Sequence, residues 1–203
     1  MTDDAISPSD CTRAAARRNQ ILDAAEACFR EYGFHGASIS KISKSCGMSA
    51  GHIYHYFENK EAIIAAIVAG DLDRLLNMTA QMRAADDILE AMLEGVGQGV
   101  IDNLDPSVAG LELEIAAEAS RNEDVANVVR RADKECATSL IHTLRLARQA
   151  AGKPVDDAEI SAMAEVIVTM FEGLLLRSIR NPEVDRQAVV AVFQKVIRSL
   201  VTS

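Results

Sequence analysis

Turn-bounded runs of β-branched and aromatic residues are missing from this 203-residue chain, and their absence excludes a sheet-based fold. Proline is scarce. Its four positions, Pro8, Pro106, Pro154 and Pro182, read as helix boundaries rather than helix interiors. Ala, Leu, Ile, Glu and Arg dominate instead, so the chain is expected to be all-α. No apolar run approaches the roughly 18–20 residues that a membrane helix needs. The N-terminal stretch is acidic and polar, without the apolar centre of a signal peptide. No membrane partner is expected, and the expected location is cytoplasmic. The four cysteines, Cys11, Cys28, Cys46 and Cys136, include no CxxC pair and read as free thiols. A Gly-rich phosphate loop, a nucleophile elbow and a metal-ligand set are also missing. No catalytic residue, cofactor or metal is therefore expected. No internal repeat appears.

What is present is an ordinary globular composition, 49% hydrophobic and 25% charged. The net charge of −9 argues at first against a nucleic-acid partner, but its distribution matters more. Residues 11–60 carry seven basic side chains (Arg13, Arg17, Arg18, Arg30, Lys41, Lys44, Lys60) against four acids (Asp23, Glu26, Glu31, Glu58). The acids are concentrated in the remainder. A basic head on an acidic body turns the head toward DNA and keeps the body away from it.

Residues 1–12 read as a disordered tail. A helix is expected from Arg13. In it Ile21, Leu22, Ala25, Cys28, Phe29 and Tyr32 form one apolar face, and Gly33 ends it. Arg13, Arg17 and Arg18 crowd its start, where cations oppose the helix dipole. They are either a phosphate site or a solvated basic turn. Phe34 to Ala37 make a turn, with His35 a turn residue. Ser38 or Ser40 can cap a second helix with Ile39, Ile42 and Cys46 inward. Gly47 makes the next turn. Ser49 can cap a short third helix from Ala50 to about Tyr56, held by Met48, Ile53 and Phe57. Asn59 can cap a fourth helix that opens with Lys60.

The series Phe29-x-x-x-Gly33, Ser38-Ile39-x-x-Ile42, Cys46-Gly47-Met48-Ser49 and Ile53-Tyr54-x-Tyr56-Phe57-x-x-Lys60-Glu61 resembles the DNA-binding head of TetR-family transcriptional regulators. The likeness covers about residues 13–67. Met48 stands where the family usually has Val, and Cys46 where it often has Ala. The stretch from Leu111 to Glu123 resembles the C-terminal domains of one TetR/AcrR subgroup.

A helix-turn-helix lays its second helix in the major groove. Small Ala50 and Gly51 let the backbone come close, and Ala can touch a thymine methyl. His52 and His55 share a side and can donate or accept at base edges or phosphates. Tyr54 and Tyr56 carry hydroxyls with phosphate reach. The resemblance implies a phosphate contact for Tyr54, whereas Tyr56 can equally be core. Lys60, Ser38 and Ser49 stand at helix N-termini that favour phosphate, and Lys44 is a further backbone candidate. A metal cluster of His52, His55 and Cys46 is rejected, because Cys46 faces the core.

One head buries too little DNA for tight, specific binding, so a homodimer on a palindromic, double-stranded operator is expected. Its interface is expected in the last two helices. Ile160, Met163, Val166, Ile167, Met170, Phe171, Leu174 and Leu175 supply one surface, and Val189, Val190, Val192, Phe193, Val196, Ile197 and Leu200 the other. Beyond the head, helices are expected over about 61–82, 86–101, 106–120, 122–151 and 156–180. The last helix is expected over 184–201.

A small-molecule effector is expected in the body among Met78, Met82, Met92, Leu111, Met170, Phe171 and Leu174. Glu114 and Glu118, at i and i+4 on an apolar helix, either meet Arg145, Arg148 or Arg177, or receive a cationic ligand. The domains are therefore a tail (1–12), a three-helix helix-turn-helix head (13–60) and a helical body (61–203), with about nine helices. The resemblance implies a repressor released from its operator by an inducer, controlling an efflux or detoxification operon. The alternatives are a regulator of metabolic genes without an efflux link and a helical adaptor that binds protein only.

Overall fold

The computed structural model describes residues 8–203, with side chains from Thr12 onward. Among the described residues there are nine helices and no strand: α1 (Pro8–Gly36), α2 (Ile39–Cys46), α3 (Ala50–Tyr56), α4 (Lys60–Ala84), α5 (Ile88–Asn103), α6 (Pro106–Ala119), α7 (Glu123–Ala150), α8 (Asp157–Arg180) and α9 (Arg186–Thr202). Local chemistry explains the boundaries. The side chains of Ser38, Ser49, Asn59, Asp87, Asp105, Asn122, Asp156 and Asp185 each accept an N–H from the first turn of α2 to α9 in order. Such caps contribute about 1 kcal/mol apiece. Asp185 as cap puts the start of α9 at Arg186, two residues beyond the expected Val184.

The N-terminal boundary differs more. α1 opens at Pro8, where a residue lacking an N–H costs nothing. The helix thus begins inside the expected tail, and residues 1–7 of that tail lie outside the described residues. At its other end Gly33 takes φ 69°, ψ 167°, a left-handed backbone that side-chain-bearing residues rarely adopt. One further turn follows, closed by Ala37 N–H donating to the Gly33 carbonyl at 3.0 Å.

Two apolar cores form. Ile21, Ala25, Phe29, Ile42, Ile53 and Phe57 make the first, which continues into Ile63, Ile64 and Ile67 of α4, Leu111 and Ile115 of α6 and Val125 of α7. Head packing therefore continues past residue 60, because α2 and α3, of about two turns each, cannot cover one another's apolar faces. Tyr32, expected on the inner face of α1, is exposed with the Lys41 ammonium 3.9 Å over its ring. The second core gathers Met82, Met92, Val96, Val100, Leu144, Ile160, Ile167, Leu174 and Ile197. α4, about 37 Å long at 1.5 Å per residue, joins the two cores. Polar side chains tie it to α7: Arg83 donates to Ser139 Oγ at 3.0 Å and Thr143 Oγ1 at 2.9 Å, and Thr79 and Ser139 hydroxyls meet at 2.7 Å.

Candidate nucleic-acid interface

α3 has seven residues, too few to persist unaided. Three anchors hold it: Ile53 at its centre and Met48 and Phe57 at its ends, all buried in the head core. The Ser49 hydroxyl accepts the His52 N–H at 3.2 Å, and Gly47 turns the chain between α2 and α3 with φ 67°. This anchoring leaves Ala50, Gly51, His52, Tyr54 and His55 exposed. A Cβ on Gly51 would meet nothing within 4 Å. His52 and His55 lie with ring centroids 6.5 Å apart. Tyr56 is half-buried against the core and stands edge-on to both, 5.4 Å from His52 and 5.3 Å from His55. Tyr56 thus belongs in part to the core.

Ser38 and Lys44 are exposed as well. Ser38 accepts the Lys41 N–H at 3.2 Å. Lys44 borders a hollow between α1 and α2 that also takes in Cys28, Glu31, Tyr32 and Lys41. Lys60 is placed differently from its neighbours. Its Nζ donates to the Phe34 carbonyl at 2.6 Å and lies 4.3 Å from the Phe34 ring centroid. One of the three N–H donors of the ammonium expected to hold a phosphate thus goes to the end of α1, and Asn59 caps the helix that Lys60 opens.

The carboxylates of α6 reach the same end of α1. Glu114 Oε1 accepts the Phe34 N–H at 2.5 Å, an approach open because Gly33 carries no Cβ: one built there would sit 3.1 Å from that oxygen. Glu118, 1% exposed, accepts from Arg121 Nε at 2.8 Å and Asn122 Nδ2 at 3.1 Å, with His35 Nε2 at 3.2 Å. Burial works to raise its carboxyl, but those donors and the nearby positive charge outweigh it and hold the group below the usual carboxylate range. These contacts correct two expectations. Glu114 and Glu118 do pair within the chain, but with none of Arg145, Arg148 and Arg177. Arg145 pairs with Asp157 at 2.6 Å, and Arg148 donates to the Pro154 and Leu200 carbonyls. His35, read as a turn residue, is one jaw of a head–body contact. The same helix also carries Glu112, where burial and the charges of Asp71 and Glu26 push the carboxyl up to about 7.

The expected effector residues separate accordingly. Leu111 belongs to the head core, and Glu114 and Glu118 to the head–body contact. Met78, Met82, Met92, Phe171 and Leu174 gather in the body core, with Met170 half-buried one position before Phe171. There the methyl of Met82 lies directly over the backbone of Gly95, where any Cβ would collide with it.

In the last two helices Ile160, Met163, Ile167, Leu174, Leu175 and Ile197 are buried within the subunit. Val166, Leu176, Ile179 and Val192 are the large apolar side chains left exposed there. Leu176 and Ile179 are additions to the expected surface. Among the described residues no helix is long and apolar enough to cross a membrane, and no group of three or more His, Cys, Asp or Glu could hold a metal ion.

Residues 21–67 match the family profile described as bacterial regulatory proteins, tetR family. Residues 85–202 match that of the C-terminal part of BetI-type transcriptional repressors. The HTH-type transcriptional regulator UidR of Escherichia coli strain K12 is 30% identical over 180 residues, 89% of this chain and 90% of that protein. The HTH-type transcriptional repressor Rv1474c of Mycobacterium tuberculosis is 30% identical over 176 residues, 87% of this chain and 89% of that protein. The solved structure of Salmonella enterica GusR superimposes with a TM-score of 0.76 at 28% identity, covering 93% of this chain and 96% of that one.

Proposed function

Because this chain belongs to the TetR family of bacterial transcriptional regulators, we propose that it is a homodimeric repressor, released from a palindromic operator when a small molecule enters its body. The exposed, core-anchored face of α3 carries this reading. Ala50, Gly51, His52 and His55 meet base edges in the major groove. Tyr54 and Lys44 contact phosphates, with the Ser38 and Ser49 hydroxyls at the flanking helix starts and the Tyr56 hydroxyl at the rim. Lys60 is assigned first to the Phe34 carbonyl, which takes one of its three N–H donors. Repression, rather than activation, is supported by the BetI-type match over the body and by the repressor among the relatives.

Pairing of heads is assigned to α8 and α9, whose outward Val166, Leu176, Ile179 and Val192 would be covered by the same residues of a second copy across a two-fold axis. The effector is assigned to the body core around Met78, Met82, Met92, Phe171 and Leu174, an apolar and adaptable lining. Two routes connect that core to the head: α4, which runs from Met82 back to Lys60, and α6, which holds the Phe34–His35 turn. Effector and operator then oppose one another by the same factor in both directions. The resemblance points to an adjacent efflux or detoxification operon as the target.

Titration of the protein against its own upstream DNA tests the proposal. The logarithm of affinity is expected to fall linearly with the logarithm of salt concentration, by about 0.9 per phosphate contacted. Absence of binding, or an affinity indifferent to salt, would defeat the reading.

A further inference from the structure

The apolar face that seats α1 in the head begins at Ile21, yet the helix starts at Pro8. About three turns therefore stand beyond the core, and Arg13, Ala14, Ala15 and Ala16 are all exposed. Between these turns and the α2–α3 turn lies an open cleft of about 460 Å³. Arg13 and Arg17 line one wall, and Gly47, Ser49, His52 and Tyr56 the other. The cleft thus shares His52 and Tyr56 with the recognition face.

Arg17 is half-buried and held in place: its Nη1 donates to Gln20 Oε1 at 3.2 Å, and Gln20 Nε2 donates to the Cys46 carbonyl at 2.8 Å. Its orienting partner is a neutral amide, so its charge stays uncompensated. Arg30 pairs with Glu26, Arg74 with Asp71 and Arg121 with Glu118, while Arg18, like Arg13 and Arg17 at the same end of α1, has no carboxylate partner among the described residues. A planar guanidinium fixed in this way matches the geometry of a phosphate. A helix lying in the major groove is flanked by phosphate rows, and contacts to them set its register.

We propose that Arg13 and Arg17 each hold one backbone phosphate of each operator half-site at this cleft, a clamp on neighbouring phosphates that makes the protruding turns of α1 part of the DNA interface. The clamp rests on the operator-binding reading above and adds positioning residues that lie outside the helix-turn-helix. Because they touch phosphate only, they strengthen binding to all sequences alike and fix the angle at which α3 enters the groove.

Fluorescence anisotropy of the full chain on its upstream DNA, between about 50 and 200 mM salt, provides the test. Arg17→Gln removes one contact per subunit, so the salt slope of the dimer should fall by about 1.8. Affinity should fall equally for operator and scrambled DNA, and Arg17→Lys should keep most of the slope. Arg13→Gln, at an exposed position, lowers the slope without touching the fold, and serves should Arg17→Gln destabilise the head. Unchanged slopes in both Gln variants, with normal wild-type binding, overturn the clamp and leave the operator reading intact. Failure of the wild type to bind overturns both. Inorganic phosphate titrated into the free protein, read by the amide resonances of Ser49 and His52, covers the remaining source. A saturable response lost in Arg17→Gln, with DNA slopes unchanged, assigns the cleft to a free anion and overturns the DNA clamp.

Discussion

On the outer face of the head His52, Tyr54 and His55 stand exposed, the two imidazoles beside each other and edge-on to Tyr56. At the junction with the body, His35, Glu114, Glu118 and Lys60 each have a polar partner within 3.2 Å. Both regions carry histidine beside other polar side chains. They differ in whether the chain itself satisfies them. A polar group that folding leaves unsatisfied costs nothing while it stays in water, and it keeps its bonding capacity for a partner from outside. A group satisfied inside holds helices together and has little left to offer DNA. Under the proposed function the outer face would serve recognition, and the junction would carry the state of the body to the head.

The sharpest way to break this contrast is at Glu118. Glu118→Ala strips Arg121, Asn122 and His35 of their shared acceptor, and is expected to cost about 2–4 kcal/mol in urea denaturation. The ion pair and hydrogen bonds hold the folded carboxyl below its ordinary value. Its contribution is thus complete above the usual carboxylate range and is lost as pH falls through the depressed value. A loss under about 0.5 kcal/mol, the size of an ordinary surface substitution, would show that the junction is not held there.

Glu112, on the same helix, should respond with the opposite sign. Its carboxyl is raised from 4.5 to about 7, so the folded chain binds that proton more tightly than the unfolded one. Stability should fall as pH rises from about 4.5 to about 7 and stay level above. Glu112→Gln should remove this dependence and stabilise the protein at alkaline pH by on the order of 1–3 kcal/mol. Thermal melts at acid and alkaline pH check it, and a variant as pH-sensitive as the wild type would remove Glu112 from the account.

Lys60 decides to which region the start of α4 belongs. Lys60→Ala is expected to cost about 1–2 kcal/mol of stability, as loss of a charge-assisted bond to the Phe34 carbonyl should, while the salt slope of DNA binding is unchanged. A slope lower by about 1.8 would return Lys60 to the phosphate contacts. The smallest effects on stability belong to the outer face. His52→Ala and Tyr54→Phe should stay within about 0.5 kcal/mol of the wild type in denaturation. On DNA they should separate: His52→Ala changes preference among single-base operator variants by about 1–3 kcal/mol, whereas Tyr54→Phe weakens all of them alike. Uniform weakening by both would reduce His52 to a phosphate contact.

Much of the geometry of α3 was legible because its signals are local. Gly47, Ser49, Ile53 and Phe57 announce a turn, a cap and two anchors within eleven residues, and the exposed positions follow by helical period. Arg17 gave a weaker signal: the sequence marks a cluster of basic residues, while the cleft beside it exists only because α1 runs on past the head core. The residues expected around an effector divide between two cores for a related reason. Leu111 and Met82 have the same apolar character, and only the course of α6 beneath α1 sends one to the head core and the other to the body core.

Helix number, most helix ends and the shape of the helix-turn-helix were determined by the sequence itself, since caps, left-handed glycines and i, i+3/i+4 apolar spacing act within a few residues. The partners of Glu114, Glu118, His35 and Lys60 were decided by the tertiary structure alone. Phe34 and Glu114 lie 80 residues apart, and a long charged side chain can reach any opposite group that packing brings within a few ångströms. How α1, α4 and α6 cross depends on which apolar faces fit together, so the identity of each polar contact at the junction is a consequence of the packed core.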